Sequence, residues 1–141
     1  MISPEKKQEL IRLAIEARDR SYSPYSGYCV GAALLTGNGK IYTGCNIENA
    51  AYTPTNCAER TAVYKAVSEG ERILSAIAIA GSPKGEITQY AYPCGVCRQV
   101  LREFSDPEQM FVFVAKSETD YLETTLAQLL PESFGPANLM Q

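Results

Sequence analysis

The sequence predicts an α/β fold: a single domain over residues 1–141, with a mixed five-stranded sheet between helices in a three-layer α/β/α sandwich. Three observations carry that expectation. From residue 57 onward, apolar runs of strand length alternate with stretches whose apolar residues recur every three or four positions. Two further apolar runs flank Gly37-Asn38-Gly39-Lys40, the pattern of a hairpin. A mass of 15.4 kDa, with 45% hydrophobic and 21% charged residues, suits one buried core and is too small for two.

Ser3-Pro4-Glu5 has the form of a helix start: a capping hydroxyl, a proline in the first turn and an acid at the positive end of the dipole. The helix runs to about Arg20, with Leu10, Leu13, Ala14 and Ala17 as its buried stripe. Residues 21–27, with Pro24 inside and Gly27 at the end, cannot continue it and form a loop. Residues 28–36 and 41–47 are the two strands of the hairpin. Residues 57–69 place Ala58, Ala62, Val63, Ala66 and Val67 on one helical face, and Gly70 stops the helix. A strand over 73–80, a helix over 94–104 and a strand over 110–115 follow. An edge strand over 121–125 and a short helix over 126–130, stopped by Pro131, complete the chain.

Strand-helix-strand succession predicts right-handed crossovers, with parallel pairing after the antiparallel first pair. In such sheets ligands gather where strands feed into helix N-termini, and Cys57 and Cys94 both sit at such junctions.

A net charge of -3 and a pI near 5.0 leave no basic footprint for a nucleic-acid backbone, so no nucleic-acid partner is expected. The N-terminus carries charges where a secretory signal needs an apolar run, and no stretch reaches the length of a membrane span. A cytoplasmic protein without a membrane partner is expected. Five cysteines, an odd number, argue for reduced thiols or metal ligands over a disulfide framework.

The chemistry concentrates in Asn56-Cys57-Ala58-Glu59-Arg60 and Pro93-Cys94-Gly95-Val96-Cys97-Arg98-Gln99. Alone, a C-x-x-C pair is compatible with a disulfide switch, half of a structural zinc clip, or two ligands of a catalytic metal. A single cysteine is more often a small buried hydrophobe. At a helix start, however, the amide dipoles favour the thiolate, and three converging thiolates make a site for one zinc per chain. A structural zinc takes four protein ligands, whereas a catalytic one takes three and leaves a position to water.

The chain has no histidine, and neither Cys29 nor Cys45 belongs to a C-x-x-C pair. Cys57, Cys94 and Cys97 with an open position is therefore the better reading. A four-cysteine structural site closed by Cys29 or Cys45, or a redox pair of Cys94 and Cys97, remains the alternative. Glu59 in isolation is an ordinary first-turn glutamate. Followed by P-C-x-x-C, however, Cys57-Ala58-Glu59 fills the zinc-deaminase signature in its three-cysteine form. Arg60, three residues from Cys57, is placed to donate hydrogen bonds to thiolates and offset their charge.

With Val30-Gly31-Ala32-Ala33 and Gly44-Cys45-Asn46-Ile47-Glu48-Asn49 added to these motifs, the chain resembles the cytidine deaminases of the small, homotetrameric, three-cysteine class over about residues 22–136. The resemblance implies zinc-dependent hydrolysis of cytidine and deoxycytidine to uridine and deoxyuridine with release of ammonia, a pyrimidine salvage reaction. It implies Glu59 as acid and base, Asn46 and Glu48 on the ribose hydroxyls, Tyr28 against the pyrimidine, and backbone groups of Ala58 and Cys94 on the ring edge. It also implies Phe134 reaching into a neighbour's active site, in a homotetramer with shared sites.

Tyr28 stands where the family usually has phenylalanine, Cys29 where proline is common, and Val96 where a smaller residue is usual. These departures bear on substrate preference. A deaminase of another aminopyrimidine nucleoside, such as blasticidin S, and a non-catalytic zinc module are the competing readings.

Overall fold

The Ser3 side chain accepts a hydrogen bond from the Lys6 backbone N–H, and Pro4 occupies the first turn of helix α1 (Pro4–Arg18). These contacts open the computed structural model, which describes residues 2–140. The helix stops two residues short of the expected Arg20. Its buried face is Leu10, Ile11, Ala14, Ala17 and Arg18, and the expected Leu13 is partly buried against the same core. Arg18 joins that face because its guanidinium turns inward and donates to the Cys29, Ser82 and Pro83 carbonyls and to the Ser82 hydroxyl.

Strands β1 (Tyr28–Thr36) and β2 (Ile41–Cys45) form the expected antiparallel hairpin. They are followed by α2 (Ala58–Ser68), β3 (Leu74–Pro83), α3 (Gly95–Glu103), β4 (Phe111–Ala115), β5 (Tyr121–Thr125) and α4 (Leu126–Leu129). The sheet order is β2-β1-β3-β4-β5.

One expectation fails here. The pairs after the hairpin are not all parallel: β1 with β3 and β4 with β5 are antiparallel, and β3 with β4 is the parallel pair. The crossovers set strand direction correctly, since β2 and β3 are each antiparallel to β1 and so run the same way. They do not set adjacency. β1 is apolar along nearly its whole length and buried from Gly31 to Thr36, so it occupies the interior of the sheet between β2 and β3. The connection from β4 to β5 is a short turn, which permits only antiparallel pairing.

Alternating side chains along the sheet build two cores. Leu10, Ile11 and Ala14 of α1 pack on Ala33, Ala76, Ala78 and Phe113 on one face. Ala58, Ala62, Val63 and Ala66 of α2, with Leu101 of α3, pack on Leu34, Ile77, Ile79 and Val112 on the other. The layers are therefore α/β/α as expected.

Two glycines let the layers approach. A Cβ on Gly31 would lie 2.1 Å from the Ala14 carbonyl oxygen. One on Gly44 would lie 2.6 Å from both the Ala58 oxygen and the Ala62 nitrogen, so β2 touches the first turn of α2. Among the described residues no helix is long and apolar enough to cross a membrane.

Candidate active site

Helices α2 and α3 both begin on a cysteine. Cys57 and Cys94 are the N-cap residues, each in extended conformation, and neither sulfur makes the capping hydrogen bond that serine or aspartate would make there. Both thiols are thus free to face each other. The Cys57 and Cys94 sulfurs lie 3.8 Å apart, Cys94 and Cys97 lie 3.6 Å apart, and all three sulfurs fall within 4.8 Å of one another.

A tetrahedral zinc with Zn–S bonds near 2.3 Å places its sulfurs roughly 3.8 Å apart. The cluster fits that ion. Cys29 instead contacts the Ser23 hydroxyl at 3.3 Å, and the Cys45 thiol donates to the Arg20 carbonyl at 3.3 Å. Among the described residues no fourth ligating side chain joins the group. All five cysteines are free thiols, so Cys94 and Cys97 are not a disulfide.

The electrostatics favour a thiolate at Cys57, whose pKa is pulled down to about 5. The hydrogen bond from the Cys97 thiol is the largest cause, with burial opposing it and the Arg60 guanidinium adding to the fall. Cys97, by donating that bond and by its burial, is pushed well up. Burial alone would lower Arg60, but the bonds to the Cys57 and Cys97 sulfurs outweigh it and hold the guanidinium charged. Arg60 Nη2 donates to Cys57 Sγ at 3.2 Å, while its Nε is buried without a hydrogen-bond partner.

Glu59 is 4% exposed. Burial raises its carboxyl to about 7, with the Cys57 thiolate adding to the rise and its own backbone N–H and Arg60 opposing it.

Cys57, Glu59 and Cys94 open onto a cavity of about 380 Å³ that Ala58, Tyr28 and Asn46 also line. The volume is in the range of small-molecule sites. Asn46 Oδ1 accepts from the Ser21 hydroxyl and from the Val30 N–H at 2.9 Å, and one Nδ2 hydrogen goes to the Tyr28 carbonyl at 2.8 Å. The amide therefore organises the start of β1 while Asn46 lines the cavity.

Glu48 lies next door. It lines an adjoining cavity with Tyr25 and Tyr52, and this space shares Ser26 and Thr55 with the first. The Ser26 hydroxyl and the Tyr25 and Ser26 N–H groups all donate to its carboxylate, and the Ser26 hydroxyl leads in keeping its pKa low. Phe134 does not line either cavity. It is 57% exposed, and its carbonyl accepts a 2.9 Å bond from Gln99 of α3.

The sequence reading missed one wall of the main cavity, formed by Tyr90, Ala91 and Tyr92. A signal was present: the tyrosines of Tyr90-Ala91-Tyr92, which leads into Pro93-Cys94.

A family model described as the cytidine and deoxycytidylate deaminase zinc-binding region matches residues 4–113. The chain is 48% identical over 132 residues to a cytidine deaminase of Sporosarcina psychrophila, covering 94% of this chain and 93% of that protein. It is 47% identical over 128 residues to one from Halalkalibacterium halodurans, covering 91% and 93%. The fold is similar to the crystal structure of cytidine deaminase from Burkholderia pseudomallei, with a TM-score of 0.79 and 43% identity over 89% of this chain and 97% of that one. Three thiols at zinc spacing, a buried glutamate beside them and these likenesses along nearly the whole chain together mean that the protein belongs to the cytidine and deoxycytidylate deaminase family.

Proposed function

We propose that the protein hydrolyses cytidine and deoxycytidine to uridine and deoxyuridine with release of ammonia, the whole chain acting as one catalytic domain. The observation that carries this reading is Glu59, a buried carboxyl that lines the same nucleoside-sized cavity as Cys57 and Cys94 of the cysteine cluster. Cys57, Cys94 and Cys97 hold the zinc, one ion per chain, which when bound supplies the Lewis-acid chemistry that makes water a nucleophile near neutral pH.

Glu59 moves the protons. It takes one from the attacking water and passes it to N3 of the ring as oxygen bonds to C4. It then takes the remaining proton from the new C4 hydroxyl and delivers it to the exocyclic nitrogen, so that the C4–N bond breaks, the C4 carbonyl forms and ammonia leaves. A single carboxyl serves as base and then as acid because its pKa lies near the working pH. Arg60 offsets the thiolate charge through Cys57.

Backbone groups of Ala58 and Cys94 meet the pyrimidine edge, and Tyr28 lies against the ring face. Asn46 and the anchored Glu48 carboxylate read the ribose hydroxyls, supported by the lining residues Ser26 and Thr55 that their two cavities share. Phe134, projecting from the surface, reaches a neighbouring copy's site in a homotetramer. Such a salvage enzyme works on free nucleosides in the cytoplasm.

Glu59→Gln tests the proposal. The variant keeps about one zinc per chain, while cytidine turnover falls by at least about 100-fold. Turnover close to wild type would refute the acid and base role.

A further inference from the structure

Residues 84–93 connect β3 to α3 without regular structure, yet Tyr90, Ala91 and Tyr92 from this connection form a wall of the active-site cavity. Neither a sheet ladder nor a helix holds that wall. Near its start, the Lys84 N–H donates to the Gly27 carbonyl at 2.8 Å and the Ser82 hydroxyl donates to the Glu86 carbonyl at 3.0 Å. Near its end the contacts come from a different part of the fold.

The Tyr90 hydroxyl donates to Asp120 Oδ1, and Lys116 Nζ lies 4.5 Å from the centroid of the Tyr90 ring. The ring also packs against the core on the α2 side of the sheet. Asp120 and Lys116 belong to the turn between β4 and β5. That turn is itself tied, since the Lys116 N–H donates to the Asp120 carbonyl at 2.8 Å and the Asp120 N–H donates to the Ser117 hydroxyl at 3.0 Å. Neither Asp120 nor Lys116 lines the cavity.

We propose that Asp120 and Lys116 are positioning residues for the substrate pocket, acting through Tyr90 to hold the wall of residues 90–92 at the spacing a pyrimidine ring requires. The wall leads directly through Pro93 into Cys94, so a displaced wall widens the slot beside the metal cluster. Glu59 sits on α2, not on this connection. Loosening the latch therefore weakens substrate binding, because the substrate must first order the wall. Proton transfer, once the substrate is bound, is left intact.

The experiment uses the full-length zinc-loaded enzyme with Asp120→Ala, Tyr90→Phe, their double mutant and Asp120→Asn. Zinc content, thermal midpoint, kcat and KM for cytidine are measured on each. Asp120→Ala and Tyr90→Phe each raise KM about five-fold, within the range that one lost hydrogen bond supports. Zinc content stays at the wild-type level and kcat changes by less than about two-fold, the pattern of lost uniform binding.

Asp120→Asn keeps an acceptor at Oδ1 and returns KM to near wild type. The double mutant is no worse than either single, as for two ends of one contact. An unchanged KM in Asp120→Ala, with or without a lower thermal midpoint, would overturn the proposal. So would additive effects in the double mutant, a fall in kcat that matches the change in KM, or failure of Asp120→Asn to restore KM.

Discussion

Arg60 Nη2 lies 3.2 Å from Cys57 Sγ, one turn along the same helix. A cluster of three thiolates around a divalent cation carries excess negative charge, and this contact is the nearest compensation. Removing it makes the centre less able to acidify water. Arg60→Ala is expected to retain zinc while the acid limb of its pH–rate profile moves to higher pH. A profile superimposable on that of the wild type would remove this role from Arg60.

Glu59 links stability to pH in the metal-free protein. The folded chain holds the Glu59 proton to about pH 7, whereas the ordinary value is 4.5. Between those values the native state binds more protons than the unfolded state, so stability falls as pH rises through that window. The fall is roughly 3 kcal/mol. Cys57, lowered from 9.0 to about 5, contributes a slope of opposite sign above pH 5. Cys57 is present in both proteins, so most of its slope cancels in their difference. The difference in unfolding free energy between metal-free Glu59→Gln and wild type should therefore grow with pH from 4.5 to 7. A flat difference in denaturant titrations would contradict the burial argument.

Zinc loading releases protons, because Cys97 is held protonated by its bond to Cys57 and by burial. Ligation needs the thiolate. Zinc affinity measured by chelator competition should rise steadily from pH 6 to pH 8, and calorimetry in buffers of different ionisation enthalpy should show net proton release. An affinity independent of pH would show the thiols to be fully ionised beforehand.

Gly31 and Gly44 separate fold stability from site integrity. Both accept a helix at a distance that a methyl group forbids. The Gly31→Ala clash is with α1, on the face away from the cysteines, and the Gly44→Ala clash is with the first turn of α2. Each should destabilise by about 1–3 kcal/mol or more. Gly44→Ala should in addition lose zinc at chelator concentrations that Gly31→Ala and wild type withstand. Equal zinc retention in the two variants would show that the β2–α2 contact does not position Cys57.

Much of the site was legible in the sequence because metal and acid–base chemistry restrict residue types over short spans. Cys94 and Cys97 sit one helical turn apart, and Glu59 follows Cys57 by two residues on the first turn of α2. Tyr28, Asn46 and Ala58 fall on the same cavity, as the resemblance implied. Tyr90 and Tyr92 escaped notice because an irregular connection carries no periodic signal. Phe134, though quoted from the same resemblance, faces outward within a single chain.

Local pattern also set the number and type of the strands, and the direction of those joined through helices, since apolar period and chain connection are properties of neighbouring residues. The place of β1 between β2 and β3 was not local. It follows from covering both faces and both edges of one apolar strand, a requirement that only the assembled layers impose. The latch of Asp120 on Tyr90 is of the same kind, joining residues 30 positions apart. By itself the sequence singled out the three cysteines and Glu59 as the candidates for the chemistry. The tertiary structure decided how far apart they stand and what holds the cavity around them, because those distances depend on packing between segments remote in the chain.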